Sequence, residues 1–95
     1  MTSSSEAPAD LKPDQLVEAI GNAFQPLECR VELYDQARRL ALTIVDMNGE
    51  PVLPPHFWLA SQLRKPHRLR ARIVPLRRRV ELEGYRLEPW VVPTT

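Results

Sequence analysis

The residues best suited to chemistry in this sequence form a run of cations between positions 64 and 79. The stretch RKPHRLRARIVPLRRR holds eight of the thirteen Lys and Arg residues and no carboxylate. Guanidinium and ammonium groups bind phosphates and carboxylates through charge-assisted hydrogen bonds. The run therefore predicts a surface for nucleic acid or for an acidic partner, and its members are Arg64, Lys65, Arg68, Arg70, Arg72, Arg77, Arg78 and Arg79.

The single cysteine and the two histidines are the other residues with reactive side chains. Cys29 alternates with Val31 and Leu33, which places it on an inward face, where a thiol behaves as a small hydrophobe. His56 and His67 lie eleven positions apart, with no cysteine or carboxylate at ligand spacing. We therefore expect a buried cysteine and no metal site.

The carboxylates and serines form no catalytic constellation. Asp35, Asp46 and Glu50 lie near two predicted turns, where acidic side chains satisfy local backbone groups. Residues 3–5 are serines without a partnered histidine or aspartate. The sequence thus predicts a protein that is not an enzyme, with no catalytic residue, cofactor or small-molecule substrate.

Length and composition bound the fold. A chain of 95 residues with a 43% hydrophobic and 26% charged share is typical of one globular domain with a modest core. We expect residues 1–10 to be a disordered tail, residues 11–90 a single domain and residues 91–95 a flexible C-terminus. The start lacks the pattern of a signal peptide and no apolar run has the length of a membrane span, so the expected location is cytoplasmic, without a membrane partner.

Charge is divided unevenly along the chain. Residues 1–63 carry a formal charge of −5 and residues 64–95 carry +6, because nine of the twelve carboxylates precede position 64. We expect part of this opposition to be neutralised inside the molecule, with the C-terminal arginines lying over the acidic half.

Hydrophobic periodicity predicts one helix followed by a β-meander. Apolar residues recur at helical spacing over residues 13–24, and Pro26 ends that helix. Period-two alternation then predicts strands over residues 29–34 and 40–45, joined by the polar loop YDQARR. Asn48-Gly49 predicts a hairpin turn that leads to a short edge strand over residues 50–53, which Pro54-Pro55 ends. The apolar segment HFWLASQL is expected to cover the core, as helix or extended chain.

The segment from Pro66 onward fits two structures. As a helix it has an apolar stripe of Leu69, Ile73, Leu76 and Val80, although Pro75 costs about 3 kcal/mol or a kink. Its arginines then divide between two flanks, with Arg70 and Arg77 on one and Arg68, Arg72 and Arg79 on the other. As a β-hairpin over residues 68–87 it would turn near Pro75 and pair Arg72 with Glu81 and Arg70 with Glu83.

The junction Phe24-x-Pro26-Leu27-x-Cys29, the short meander and the terminal stripe with Leu76-Arg77 resemble a family of short bacterial proteins classified only as a domain of unknown function. The resemblance covers roughly residues 15–83 and carries no assigned activity. It implies an α-β-β-β-α order, with an antiparallel three-stranded meander covered by an N-terminal and a C-terminal helix, in a small α+β domain.

The order α-β-β-β-α with a basic start to the last helix is also similar to the double-stranded RNA-binding domain, in which phosphates dock at that helix N-terminus. Arg64, Lys65, Arg68, Arg70 and Arg72 occupy the corresponding place. Because the helical arginines lie on two flanks, the preferred hypothesis is a non-enzymatic protein-interaction or regulatory module that binds a protein partner or a second copy. An RNA- or DNA-binding regulator that uses residues 64–79 is the alternative.

Overall fold

The computed structural model describes residues 10–92 of the chain. Its elements are, in order, α1 (Pro13–Asn22), β1 (Glu28–Tyr34), β2 (Arg39–Val45), β3 (His56–Leu59) and α2 (Pro66–Leu82), with a single 3-10 turn (Ala60–Gln62) before α2. The strands form one antiparallel sheet in the order β1-β2-β3, so β2 is central. The predicted α+β fold with α-β-β-β-α order is confirmed.

One hydrophobic core lies between the inner face of the sheet and the two helices. Leu40, Leu42 and Ile44 of β2 are buried at its centre, and the strand register places Leu33, Val31 and Cys29 of β1 opposite them. The helices contribute a set of buried side chains, which are Leu16, Ala19 and Ile20 from α1 and Leu69, Ile73, Leu76 and Val80 from α2. The apolar spacing in the sequence therefore predicted the inner layer correctly.

Helix α2 runs unbroken through Pro75, so the alternative of a β-hairpin over residues 68–87 is wrong. Proline removes the hydrogen bond to the carbonyl of the residue four positions earlier, here Ala71. Ala71 and Pro75 are both exposed on the side opposite the buried stripe, where that carbonyl can be hydrated. The apolar stripe is therefore kept intact while the proline lies on the solvent side.

The third strand lies farther along the chain than the sequence predicted. Residues 50–53 form a bridge between Pro51 and Val45 in place of a strand, with hydrogen bonds from the Asp46 N–H to the Glu50 carbonyl (2.9 Å) and from the Val52 N–H to the Ile44 carbonyl (2.8 Å). Regular pairing with β2 resumes at His56 and continues to Leu59. The prolines at 51, 54 and 55 have no N–H to donate, so the edge is interrupted there rather than ended. The segment HFWLASQL is thus strand β3 followed by the 3-10 turn.

Two turns connect the strands in different ways. In the turn after β2, Gly49 has a φ of 81°, and the Asp46 carboxylate accepts hydrogen bonds from the N–H groups of Asn48 (2.8 Å) and Glu50 (3.0 Å). This agrees with the predicted hairpin turn. In the β1-β2 loop, three successive residues without a glycine have positive φ, at 55°, 55° and 65° for residues 35–37. The sequence held no signal for that conformation.

The chain after α2 returns across α1. The Glu88 N–H donates to the Gln25 carbonyl at 2.8 Å, and Trp90 Nε1 donates to the Ala19 carbonyl at 3.0 Å. Leu87 and Val92 are buried against the core, so the packed chain reaches two residues beyond the predicted domain end at 90. The predicted disordered tail, apart from Asp10, and residues 93–95 of the predicted flexible C-terminus lie outside the described residues.

Candidate interaction surfaces

The cations of the run 64–79 do not form one surface. Within α2, Arg68, Arg72 and Arg79 lie on one flank of the buried stripe, and Arg70 lies on the other flank with Arg77. Arg78 lies on the side of the helix opposite the stripe. This is the division between two flanks that the helical interpretation predicted, so a groove lined by all eight cations does not exist.

Three of the eight cations are bound to the protein itself. Arg77 donates through Nη1 to the Ala23 carbonyl and through Nη2 to the Glu88 carbonyl at 2.8 Å. Arg64 Nε donates to the Leu11 carbonyl at 3.3 Å, and Lys65 Nζ lies 3.3 Å from an Asp10 carboxylate oxygen. These three side chains join the start and the end of the described chain to α2.

The flank of Arg68, Arg72 and Arg79 is the remaining basic surface, which we call the arginine row. All three side chains are exposed, and none forms a hydrogen bond or ion pair with another of residues 10–92. They span eleven positions, or about 16 Å at 1.5 Å per residue. A shallow open cleft of about 510 Å³ lies at the start of the row and is lined by Gln62, Arg68, Ala71 and Arg72.

The outer face of the sheet presents apolar side chains to solvent. Phe57 is 65% exposed, and Leu59 and Tyr34 are each 42% exposed. The register places Arg39 of β2 between Tyr34 and Leu59, and Ala41 beside Phe57. We call these five residues the outer patch. Sequence reasoning missed it because the period-two spacing of Phe57 and Leu59 lasts only four residues, which is too short to assign a strand.

The outer edge of β1 is the other surface that the sequence did not single out. The Val52 N–H donates to the Ile44 carbonyl, so the backbone groups of Ile44 point toward β3. Since successive residues of a strand point to opposite sides, the odd-numbered residues of β2 bond to β1, and their partners in β1 are the even-numbered ones. The N–H and C=O groups of Cys29, Val31 and Leu33 therefore face away from the sheet, and no strand among residues 10–92 pairs with them.

Cys29 lies on the inner face of the sheet, as the alternation predicted, but it is half-buried rather than fully buried. Loss of hydration raises the pKa of its thiol to about 12. Because the thiolate is the nucleophile, the side chain is inert near neutral pH and acts as a packing residue. His56 lies with its ring centroid 5.7 Å from that of Trp58, and His67 is exposed. Within residues 10–92, no group of three or more potential ligands is placed to hold a metal ion.

A second open cleft, of about 390 Å³, separates the start of α1 from the β1-β2 loop. Its walls include Leu16, Ala37, Leu59 and Arg64. The lining includes two cations, Arg64, whose guanidinium already donates to the Leu11 carbonyl, and Arg38.

No family model, curated protein or solved structure matches this chain. The resemblance to a bacterial domain of unknown function therefore stays a prediction. Across residues 10–92, no helix has the length and apolar character needed to cross a membrane.

Proposed function

We propose that this protein is a small non-enzymatic interaction module that binds another protein chain through the outer patch. The observation that carries the proposal is the exposure of Phe57 next to Leu59 and Tyr34 on a regular sheet face. Aromatic side chains and arginine are enriched at the energetic centres of protein interfaces. The outer patch combines two aromatic rings with a guanidinium in a rigid arrangement.

The composition of the patch indicates the chemistry of its partner. Arg39 lies between Tyr34 and Leu59, and its Nε is 3.5 Å from an Asp35 carboxylate oxygen in a pair whose side chains are both about half exposed. An exposed pair of this kind is weak, so the guanidinium remains available to a stronger acceptor. The partner that fits is a protein surface with apolar side chains and a carboxylate opposite Arg39.

The first test replaces Phe57 with aspartate and measures direct binding. Proteins retained by the immobilised chain from a cell lysate are identified, purified and titrated against the wild type and the variant. We expect Phe57→Asp to weaken binding at least about tenfold, because loss of a central aromatic anchor removes well over 1 kcal/mol. Met47→Asp, at a position 95% exposed in the turn after β2, is the matched control and should bind as the wild type does.

The proposal fails if every purified candidate binds Phe57→Asp and the wild type equally. Both substituted side chains are exposed, so circular dichroism should show an unchanged fold for the two variants, and a loss of binding then reports on the surface itself.

The arginine row supports a second candidate function, the binding of nucleic acid. Three guanidinium groups on one flank, which pair with no carboxylate among residues 10–92, can each contact a phosphate, and binding should weaken with salt with a log–log slope of about −3. We expect retention on duplex RNA at low salt, and its loss in the variant Arg68→Glu, Arg72→Glu, Arg79→Glu. The control has the same change in net charge at other exposed positions, Arg70→Glu, Arg78→Glu, Arg86→Glu, and should retain RNA better. Equal binding by the two variants contradicts a site on this row.

A further inference from the structure

The outer edge of β1 carries six backbone hydrogen-bonding groups that β2 does not use. They are the N–H and C=O groups of Cys29, Val31 and Leu33, spaced evenly along a regular strand of seven residues. Edge strands normally carry a proline, a bulge or an inward-pointing charge that blocks pairing with another chain. On the other side of the sheet, Pro54 and Pro55 interrupt the edge before β3 begins, whereas β1 contains no proline, bulge or inward-pointing charge, and its three charged residues lie on the outer face.

The side chains of β1 leave apolar surface at the same edge. Cys29, Val31 and Leu33 pack on the core but are only half-buried, although their partners Leu40, Leu42 and Ile44 on β2 are fully enclosed. The difference arises because β1 has a neighbour on one side only. A strand added beside β1 would cover these three side chains as well as their backbone groups.

The charges of the outward side chains of β1 alternate in sign, so they can be complementary to those of an identical strand that pairs with it. Glu28, Arg30, Glu32 and Tyr34 are all exposed on the outer face. In an antiparallel pair of identical strands, residues opposite each other point to the same face, and the two-fold axis passes through a pair of identical residues. The position of this axis therefore decides which charges meet.

Only one axis position pairs the whole strand with favourable charges. With the axis at Val31, all seven residues find partners, and Arg30 of each copy lies opposite Glu32 of the other. With the axis at Arg30, the two arginines oppose each other, and with the axis at Glu32 the two glutamates do so. Such like-charge pairs are destabilising. An axis at Cys29 also pairs opposite charges but leaves the end of the strand without a partner.

We propose that a second copy of this chain pairs with β1 about a two-fold axis at Val31, which joins two three-stranded sheets into one antiparallel sheet of six strands. Val31 faces Val31, Cys29 faces Leu33, and the six outward backbone groups of each copy are satisfied by the other. The intrachain contact of Arg30 Nε with Glu28 at 2.9 Å persists, because a guanidinium has donors for two carboxylates. This second interaction surface differs from the outer patch, so the inference goes beyond the function proposed above.

The test exchanges charges between positions 30 and 32. Sedimentation velocity of the full chain over a wide concentration range should show a species of twice 10.9 kDa. Arg30→Glu and Glu32→Arg should each weaken the dimer at least about tenfold, because two attractive cross-strand pairs become repulsive. An equimolar mixture of the two variants should form a heterodimer, and the double variant should again form a homodimer. Glu81→Arg, an exposed charge on α2, is the control and should dimerise as the wild type does.

A second variant tests the backbone pairing. Val31→Pro removes the N–H at the proposed axis, which proline can do on the open side of an edge strand without breaking a bond to β2. A folded Val31→Pro monomer supports the proposal. A wild type that stays monomeric at every concentration overturns the proposal. Dimerisation that is unchanged by both the charge exchange and Val31→Pro also overturns it. In either case the role of the outer patch is decided separately by the Phe57→Asp titration.

Discussion

Burial of the Cys29 thiol makes the free energy of unfolding depend on pH. Below its unfolded pKa of about 9, the thiol is protonated in both states, so it contributes no pH dependence. Between that value and the folded pKa of about 12, the unfolded chain releases a proton that the folded chain keeps. The folded state therefore loses stability as the pH rises through this window.

We predict that Cys29→Ala removes this pH dependence, in addition to a loss of packing that is the same at every pH. At about pH 10.5 the thiol should lower the free energy of unfolding by about 2 kcal/mol relative to about pH 7.5, at 1.36 kcal/mol per unit of pKa. The measurement is urea unfolding of wild type and Cys29→Ala at both pH values and one protein concentration. Other groups titrate in both proteins, so the wild type should lose about 2 kcal/mol more than the variant. Equal losses would show that hydration of the thiol is unchanged by folding.

The inward direction of Cys29 could be predicted from the sequence, whereas the direction of Phe57 could not. Period-two alternation extends over seven residues in both β1 and β2, which is long enough to separate a strand from a helix. In β3 the pattern lasts four residues and follows three prolines, so extended and helical backbones fit it equally well. The outer patch was missed for that reason, since its two most exposed apolar residues lie in this short strand.

At the scale of elements, the buried stripe of α2 stabilises the helix over the hairpin, although two local features of this segment disfavour a helix. Four apolar residues on one face bury enough surface to outweigh the cost of Pro75 and the arginines near the positive end of the helix dipole. Without the family resemblance, the sequence favours the helix and the hairpin almost equally, because the residues of α1 and β2 that pack on the stripe are distant in the chain. Core packing thus supplied what local propensity could not.

The β1-β2 loop is an element whose strain can be relieved. Ala37 has a φ of 65°, a conformation that costs a residue with a Cβ free energy but costs glycine almost none. We predict that Ala37→Gly raises the free energy of unfolding by roughly 0.5–1 kcal/mol, as measured by urea denaturation. Ala71→Gly, at an exposed position inside α2, should instead lower it by about 0.5–1 kcal/mol. Destabilisation by both substitutions would mean that the loop stores no strain at this position.

Across the whole molecule, residues 1–63 and residues 64–95 carry opposite net charges, but few ion pairs join these two parts among the described residues. Of the partial neutralisation expected between the C-terminal cations and the acidic half, the ion pair of Lys65 with Asp10 is the one found among residues 10–92. Arg64 and Arg77 bond to backbone carbonyls instead. The cations on α2 that bind neither carboxylates nor carbonyls are the ones that remain for an external partner.

Arg77 makes the most extensive of these connections, since its guanidinium joins α2 to the end of α1 and to the returning C-terminal segment. Removal of this group leaves the carbonyls of Ala23 and Glu88 without their charged donor. We predict that Arg77→Met lowers the free energy of unfolding by about 2–3 kcal/mol, the range for loss of charge-assisted hydrogen bonds. Arg78→Met, at an exposed position with no such contact among residues 10–92, should change it by less than about 0.5 kcal/mol. Urea unfolding of both variants decides the matter. Equal stability would mean that the C-terminal segment is held by Trp90 and its apolar contacts alone, and that Arg77 belongs with the cations available for binding.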